Sequence, residues 1–123
     1  MGADPGRLRI GFTTRTPEVG AAIGTMLSAA AAWIMQYWIR HLGREPGEDE
    51  IEPLNRALWQ AGEKVTAADW LLAVGDIQRF GRRVARFTGF DTFLTPTMSA
   101  PPLPIGQMIS TPEDPWRSLQ VSG

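Results

Sequence analysis

An uncharged run near the N-terminus constrains this chain more than any other feature of its sequence. Residues 19–39 lie between Glu18 and Arg40 and contain no formally charged side chain. A run of this length can cross a lipid bilayer as a single helix. Six of its 21 residues are alanine and two are glycine, so the run is small rather than strongly apolar. The sequence therefore favours a buried core helix over a membrane span.

Residue types at both ends of the run predict where this first helix begins and ends. Pro17 suits a first helical turn, where its missing N–H is not needed, and Glu18 suits the positive end of the helix dipole. Arg40 and His41 suit the negative end, and Gly43 is the residue type that most often ends a helix. We therefore predict one helix that begins near Pro17 and ends just before Gly43.

Two further helices are predicted after a loop that carries an acidic run at 48–50. Pro53 opens the second helix, apolar residues follow at helical spacing, and Gly62 ends it. Thr66 and Asp69 have the spacing of a capping box, in which each side chain accepts from the other residue's backbone N–H. The third helix follows, and its apolar stripe consists of Trp70, Ala73, Val74, Ile77, Phe80, Val84 and Phe87.

Two short strands flank these helices. Residues 8–12 alternate apolar and polar side chains, so we predict a strand whose face of Leu8, Ile10 and Phe12 is buried. A second strand is predicted over 91–95, because the residue before Pro96 is restricted to extended geometry. The fold class is α/β but mostly helical, with three helices and two short strands. Two such strands do not make a stable sheet alone, so the chain looks incomplete.

Composition excludes several classes of function. The 123 residues suit one domain, and the net charge of -1 argues against binding to nucleic acid through overall charge. The absence of cysteine excludes disulfides and thiolate sites, and His41 is the single histidine, so we expect no metal and no cofactor.

Residues 1–6 have no signal-peptide pattern, which predicts a cytoplasmic protein. Arginine outnumbers lysine 11 to 1, which favours a GC-rich bacterial genome.

No arrangement of residues in the sequence indicates a catalytic site. Ser28, Ser99 or Ser110 could be combined with His41 and a carboxylate, but no Gly-x-Ser-x-Gly pattern exposes any of these serines. Glycine-rich phosphate loops are also missing. Lys64 lies on a polar connection between two helices, without the apolar surroundings that a catalytic lysine requires. We therefore predict no catalytic, cofactor-binding or metal-binding residue.

Four arginines share one face of the third helix. Arg79, Arg82, Arg83 and Arg86 follow i, i+3, i+4 and i+7 spacing. Such a face could bind phosphate or nucleic acid, or it could be the solvated side of the helix, with Asp76 placed to pair with Arg79. No aromatic residue is interleaved with these arginines, as stacking on bases would require. We favour the solvated face and predict no nucleic-acid partner and no membrane partner.

Several segments together resemble the C-terminal half of amidase-signature enzymes. The most specific segment is Asp91-x-x-Leu94-Thr95-Pro96-Thr97, with the proline-rich residues 101–106 behind it. Residues 8–12 look like the strand that follows the catalytic centre in that family. The remaining segments that support the resemblance are residues 43–46, 51–58 and 82–87. The resemblance implies a part of a mixed-sheet hydrolase fold.

This chain also departs from that family. The resemblance implies hydrolysis of linear carboxylic amide C–N bonds by two serines and a lysine, which lie in and before a Gly/Ser-rich run. This sequence contains no such run, and Lys64 follows the 8–12 strand instead of preceding the run. The resemblance therefore implies a partial domain at 1–106, shortened near 17–22, followed by an irregular tail at 107–123. Such a fragment would be inactive alone, and an amide substrate belongs only to the full-length family.

The alternative is a small, non-enzymatic helical binding module. It would dock a partner through the face of Arg79 to Arg86 or through the proline-rich residues 101–104. In the fragment interpretation, part of the covering surface is lost from the helix faces that carry Trp33, Trp38, Trp70 and Ile77. Exposed apolar faces of that kind predict self-association.

Overall fold

A computed structural model describes residues 6–13, 19–86, 89–97 and 101–122 of the chain. This part is mostly helical and contains one small parallel sheet of two strands. The strands are β1 (Ile10–Phe12) and β2 (Thr92–Leu94), and a 3₁₀ turn covers Glu48–Glu50. The helices are α1 (Gly20–Leu42), α2 (Pro53–Gly62), α3 (Ala67–Val84) and α4 (Arg117–Ser122). The predicted three helices and two strands are therefore present, and α4 is an addition.

The end of α1 is set by Gly43, as predicted. Gly43 has a φ of 71°, in the left-handed region that favours glycine. Its N–H donates to the carbonyl oxygen of Ile39 at 2.8 Å and thereby satisfies one of the last carbonyls of the helix. The predicted start near Pro17 lies outside the described residues, and the described helix begins at Gly20.

The starts of α2 and α3 also follow the sequence. Pro53 occupies the first turn of α2. At the start of α3, the backbone N–H of Asp69 donates to Thr66 Oγ1 at 3.1 Å, and the N–H of Thr66 donates to Asp69 Oδ2 at 3.0 Å. The capping-box prediction is confirmed. α3 ends at Val84, and Phe87, the last residue of the predicted stripe, lies outside the described residues.

One side of α1 packs closely against α2 and α3. At Gly62, the last residue of α2, an added Cβ atom would lie 1.9 Å from the carbonyl oxygen of Ser28 and 2.8 Å from the Cβ of Ala32. The two backbones can approach this closely because the residues at the contact are glycine, serine and alanine. Ala22 of α1 and Ala73 of α3 are also buried. The small residues of the 19–39 run therefore serve helix packing.

The opposite side of α1 is exposed, so the prediction of a buried core helix holds for one side only. Ile23, Leu27, Ile34 and Trp38, which we call the outer face of α1, are 43–50% exposed. By length and composition α1 also qualifies as a membrane-crossing helix, as core helices of soluble proteins and signal sequences do as well. These properties alone therefore assign no location to the protein.

β1 and β2 are far apart in the sequence and pair as parallel strands. Ile10 lies opposite Thr92, and Gly11 lies opposite Phe93. The backbone N–H of Arg9 donates to Asp91 Oδ2 at 2.7 Å, and the N–H of Asp91 donates to the carbonyl oxygen of Arg9 at 2.8 Å. Asp91 therefore joins the two strands at their N-terminal ends and fixes their register.

The predicted buried face of β1 is wrong. Leu8, Ile10 and Phe12 are exposed, with Phe12 at 77%, whereas Gly11 is buried. An added Cβ at Gly11 would lie 2.9 Å from the ring of Phe90 and 3.0 Å from the ring of Phe93. The period-two pattern predicts the strand correctly. Which face of the strand is buried depends on the side that the rings of Phe90 and Phe93 cover.

The tail predicted to be irregular over 107–123 contains the short helix α4. Arg117 Nε donates to the carbonyl oxygen of Gln107 at 3.1 Å, and the hydroxyls of Ser110 and Ser118 lie 3.0 Å apart. The N–H groups of Leu119 and Gln120 donate to the carbonyl of Trp116. These local hydrogen bonds form one helical turn without any apolar periodicity, which is why the sequence pattern gave no sign of it.

Candidate functional site

The serines named from the sequence lie in separate environments. Ser28 is 7% exposed and lies in the middle of α1, on the side that faces α2. Ser110 lies in the segment before α4, where its hydroxyl is within hydrogen-bond distance of the Ser118 hydroxyl and accepts from the Ser118 N–H at 3.4 Å. Ser99 lies outside the described residues. Neither described serine therefore resembles an activated nucleophile, which needs an adjacent base.

The two possible bases, His41 and Lys64, also do not lie beside a serine in the described residues. His41 lies in the last turn of α1, and its ring stacks on Tyr37 with centroids 6.2 Å apart and an interplanar angle of 4°. Lys64 is exposed in the turn that follows α2. Within the described ranges, no side-chain hydrogen bond or ion pair joins either residue to a serine or a carboxylate. The structure therefore assembles no Ser-His-acid or Ser-Lys set in this part of the chain.

Arg79, Arg82 and Arg83 of α3, with Arg86 in the turn just after its end, form one wall of an open groove of about 470 Å³. Ala21 and Ala22, from the first turn of α1, form the facing wall. Arg79 pairs with Asp76, as the sequence predicted, and the guanidinium of Arg83 lies 5.8 Å from the centroid of the Phe80 ring. The helical spacing predicted that the arginines share one face. It did not predict that the start of α1 lies opposite that face, because this contact depends on the tertiary structure. Guanidinium groups in such a groove suit a phosphate or carboxylate ligand.

A second groove of about 430 Å³ lies along the C-terminal half of α1. Trp33, Gln36, Tyr37, Arg40 and His41 line it. The sequence predicts Trp33 only as part of an apolar helix face. The i, i+4 and i+8 spacing of Trp33, Tyr37 and His41 was the signal that could have predicted this aromatic surface. It offers flat rings for contact but no nucleophile.

Three carboxyl groups have pKa values that are lowered by hydrogen bonds. Hydrogen bonds from Arg44 Nη1 and Nη2, at 2.7 and 2.9 Å, and from the Gly47 N–H lower the pKa of Glu50 to about 2. The hydroxyl and N–H of Thr66 lower the pKa of Asp69, and the side chain and N–H of Arg9 lower the pKa of Asp91. A general acid needs a raised pKa, so these three groups are structural.

Acidic and histidine side chains do not gather into a metal site in the ranges that the structure describes. No group of three or more His, Asp or Glu residues there could hold an ion. Oxygen and nitrogen ligands must converge on one point to bind a divalent cation. The described residues provide no such point.

A scan against protein-family models and a search of curated proteins both give no match. The fold of the chain does match a solved structure of 6-aminohexanoate cyclic dimer hydrolase, with a TM-score of 0.73 and 19% sequence identity. The same enzyme in complex with its substrate gives a TM-score of 0.72. In both cases the match covers 97% of this chain and 35% of the hydrolase, which is an amidase-signature enzyme. The chain therefore shares its fold with about a third of that hydrolase, in agreement with the family resemblance of its sequence.

Proposed function

We propose that this chain is a part of an amidase-signature hydrolase and carries no catalytic residue of its own. The observation that carries the proposal is the match of 97% of the chain, with a TM-score of 0.73, to 35% of one hydrolase. The sequence segments at 90–97 and 101–106 support the same family independently. We also propose a cytoplasmic location, because α1 packs along α2 and α3 as a core helix of a soluble protein does.

The reaction of the whole enzyme would be hydrolysis of a carboxylic amide C–N bond. The resemblance assigns this reaction to a Ser-Ser-Lys triad in a Gly/Ser-rich run, and no such run occurs in this sequence. Loss of the nucleophile removes about 10⁶ in turnover from a covalent hydrolase. Among the residues present, Ser28 is buried against α2, and Lys64 has no serine beside it. The chain alone is therefore an inactive, truncated member of the family.

An amide panel tests this proposal. The purified chain would be incubated with short aliphatic and aromatic amides and with 6-aminohexanoate cyclic dimer, and the release of ammonia or amine would be measured. The intact hydrolase of that name is the positive control. We expect no turnover above the buffer blank. Turnover that Ser28→Ala, Ser99→Ala or Ser110→Ala abolishes would show a catalytic serine in this chain and overturn the proposal.

The groove of arginines favours a second candidate, a non-enzymatic binding module. Such a module would bind a nucleic acid with a steep dependence on salt, because guanidinium–phosphate contacts release counterions. Our proposal predicts no affinity above a non-specific background for DNA or RNA. Replacement of Arg79, Arg82, Arg83 and Arg86 by alanine would then change nothing, with Arg40→Ala as the control outside the groove. A steep salt slope that is lost only in the quadruple variant would favour the binding module.

A further inference from the structure

The outer face of α1 lacks the side chains that a water-facing helix surface normally carries. Ile23, Leu27, Ile34 and Trp38 recur along this face, and each is 43–50% exposed. No charged residue occurs in α1 before Arg40. Helices that are apolar on every side are normally buried, because a surface helix carries polar and charged groups on its outer side. The sequence of α1 is therefore suited to burial on both sides, and the structure buries only one.

The β1–β2 pair also exposes apolar side chains that an interior element would bury. Its strands are parallel, and Ile10, Phe12 and Leu94 are more than half exposed. Parallel sheets are normally covered on both faces, and a pair of strands alone is marginally stable in water. The pair therefore has the composition of an interior sheet and lacks further strands in the part of the chain that the structure describes.

The total surface area is larger than that of a compact folded protein of this mass. The chain exposes 10086 Å². A folded monomer of 13.5 kDa would expose about 6,500 Å². The excess of about 3,500 Å² is more than four times the 800 Å² or so that one partner buries in an interface of standard size. Exposed apolar side chains occur on α1 and on the β1–β2 pair alike, so a single self-complementary patch on one of them would leave the other uncovered.

We propose that this surface is a docking face for the complementary part of the hydrolase, encoded beside this sequence, which adds strands to the β1–β2 sheet and covers the outer face of α1. The inference rests on the proposed function. Its specific support is the coverage of the fold match, since the larger part of the matching hydrolase has no counterpart in this chain. The occupant is thus an apolar, strand-bearing polypeptide.

A lipid bilayer suits the outer face of α1 less well. α3 packs directly along α1 and carries Asp69, Asp76 and three of the groove arginines, and Arg86 follows just after its end. Insertion of α1 across a membrane would bring those charges towards the hydrocarbon region, where charged side chains are strongly disfavoured. A bilayer also provides no strands for the sheet.

Co-expression tests the docking face. The probes are the polypeptides translated from the DNA directly before and after this sequence, each produced with the full chain and examined by native mass spectrometry. We expect a one-to-one complex with one of them. In that complex, amide hydrogen exchange in β1 and β2 slows at least tenfold, and the binding of the dye anilinonaphthalene sulfonate to the chain falls several-fold.

Charged substitutions locate the interface. Leu27→Glu and Trp38→Glu each place a carboxylate on the outer face of α1 and should weaken the complex at least tenfold. Both side chains are about half exposed, so thermal unfolding of each variant alone, measured beside the binding, separates a loss of the interface from a loss of stability. Gln60→Glu adds the same charge at an exposed position of α2 and should leave the complex intact.

Three outcomes overturn the inference. The first is that the flanking DNA encodes no polypeptide that binds the chain. The second is a discrete homodimer that Leu27→Glu dissociates, which would identify a second copy as the occupant. The third is binding to vesicles of phosphatidylcholine and phosphatidylglycerol that Leu27→Glu abolishes. A complex that forms but hydrolyses no amide would leave the docking face standing and overturn the proposed function instead.

Discussion

The α1–α2 contact and the β1–β2 pair each join distant segments, but by different means. At the helix contact, the Gly62 backbone lies against the Ser28 carbonyl with no space for a methyl group. At the sheet, exposed apolar residues surround a single buried glycine, and the Asp91–Arg9 ion pair joins the strands. Helices satisfy their backbone groups internally, whereas short strands depend on neighbours. The helices of this chain therefore satisfy their backbone hydrogen bonds without further elements, whereas the two strands need neighbours.

The largest expected effect comes from Gly62→Ala. The added methyl group would lie 1.9 Å from the Ser28 carbonyl oxygen, so α1 and α2 would have to separate. Overpacking of this kind should cost about 3 kcal/mol of the free energy of unfolding. Thermal unfolding followed by far-UV circular dichroism would measure the loss.

Gly24→Ala is the matched control, because a Cβ there meets no atom within 4 Å, and it should stabilise α1 by about 0.5–1 kcal/mol. Equal stability of the two variants would show that the helices do not pack this closely.

Thr66→Ala should have a smaller effect on the same helical part. The variant leaves the backbone N–H of Asp69 without its acceptor and removes a hydroxyl that lies 2.6 Å from the Asp69 carboxylate. Loss of an N-cap hydroxyl costs about 1 kcal/mol. Urea unfolding would measure the change, with Thr66→Ser as the control that keeps the hydroxyl. A serine variant as unstable as the alanine variant would argue against the cap.

Asp91→Asn should affect the sheet and leave the helices unchanged. The amide lacks the charge that pairs with Arg9 and can accept fewer of the three hydrogen bonds that Arg9 donates. Amide hydrogen exchange should therefore become faster in β1 and β2, while exchange rates in α1 and α2 remain as they are. Faster exchange in α1 as well would show that the sheet and the helices open together rather than separately.

The smallest effect concerns Glu50 and acid. Its pKa is about 2 in the folded chain, against an ordinary value of 4.5. Because the folded value is lowered, the stabilising contribution of the carboxylate is present above pH 4.5 and is lost as the pH falls towards 2. An NMR titration of the Glu50 carboxyl would detect this midpoint, and Arg44→Gln should return it towards 4.5. Since Arg44 and Glu50 are exposed, we expect little change in the unfolding temperature.

The sequence by itself determined the local features of this protein. Gly43, Pro53 and the Thr66–Asp69 pair gave the ends of the helices, because caps depend on residues three or four positions apart. The small residues of the 19–39 run favoured a buried core helix over a membrane span. The 90–97 segment carried the family resemblance that the fold match supports. The missing Gly/Ser-rich run is likewise a property of the sequence alone and is the basis for the expected inactivity.

The tertiary structure decided which of these local elements meet. Arg9 and Asp91 are 82 residues apart, and no spacing rule predicts their pairing. The period-two pattern of β1 identified a strand but not its buried face, because Phe90 and Phe93 arrive from the other end of the chain to cover Gly11. The arginine face of α3 became one wall of a groove only where the start of α1 returned opposite it. These contacts join residues that are far apart in the sequence, and short-range sequence patterns do not predict which distant residues meet.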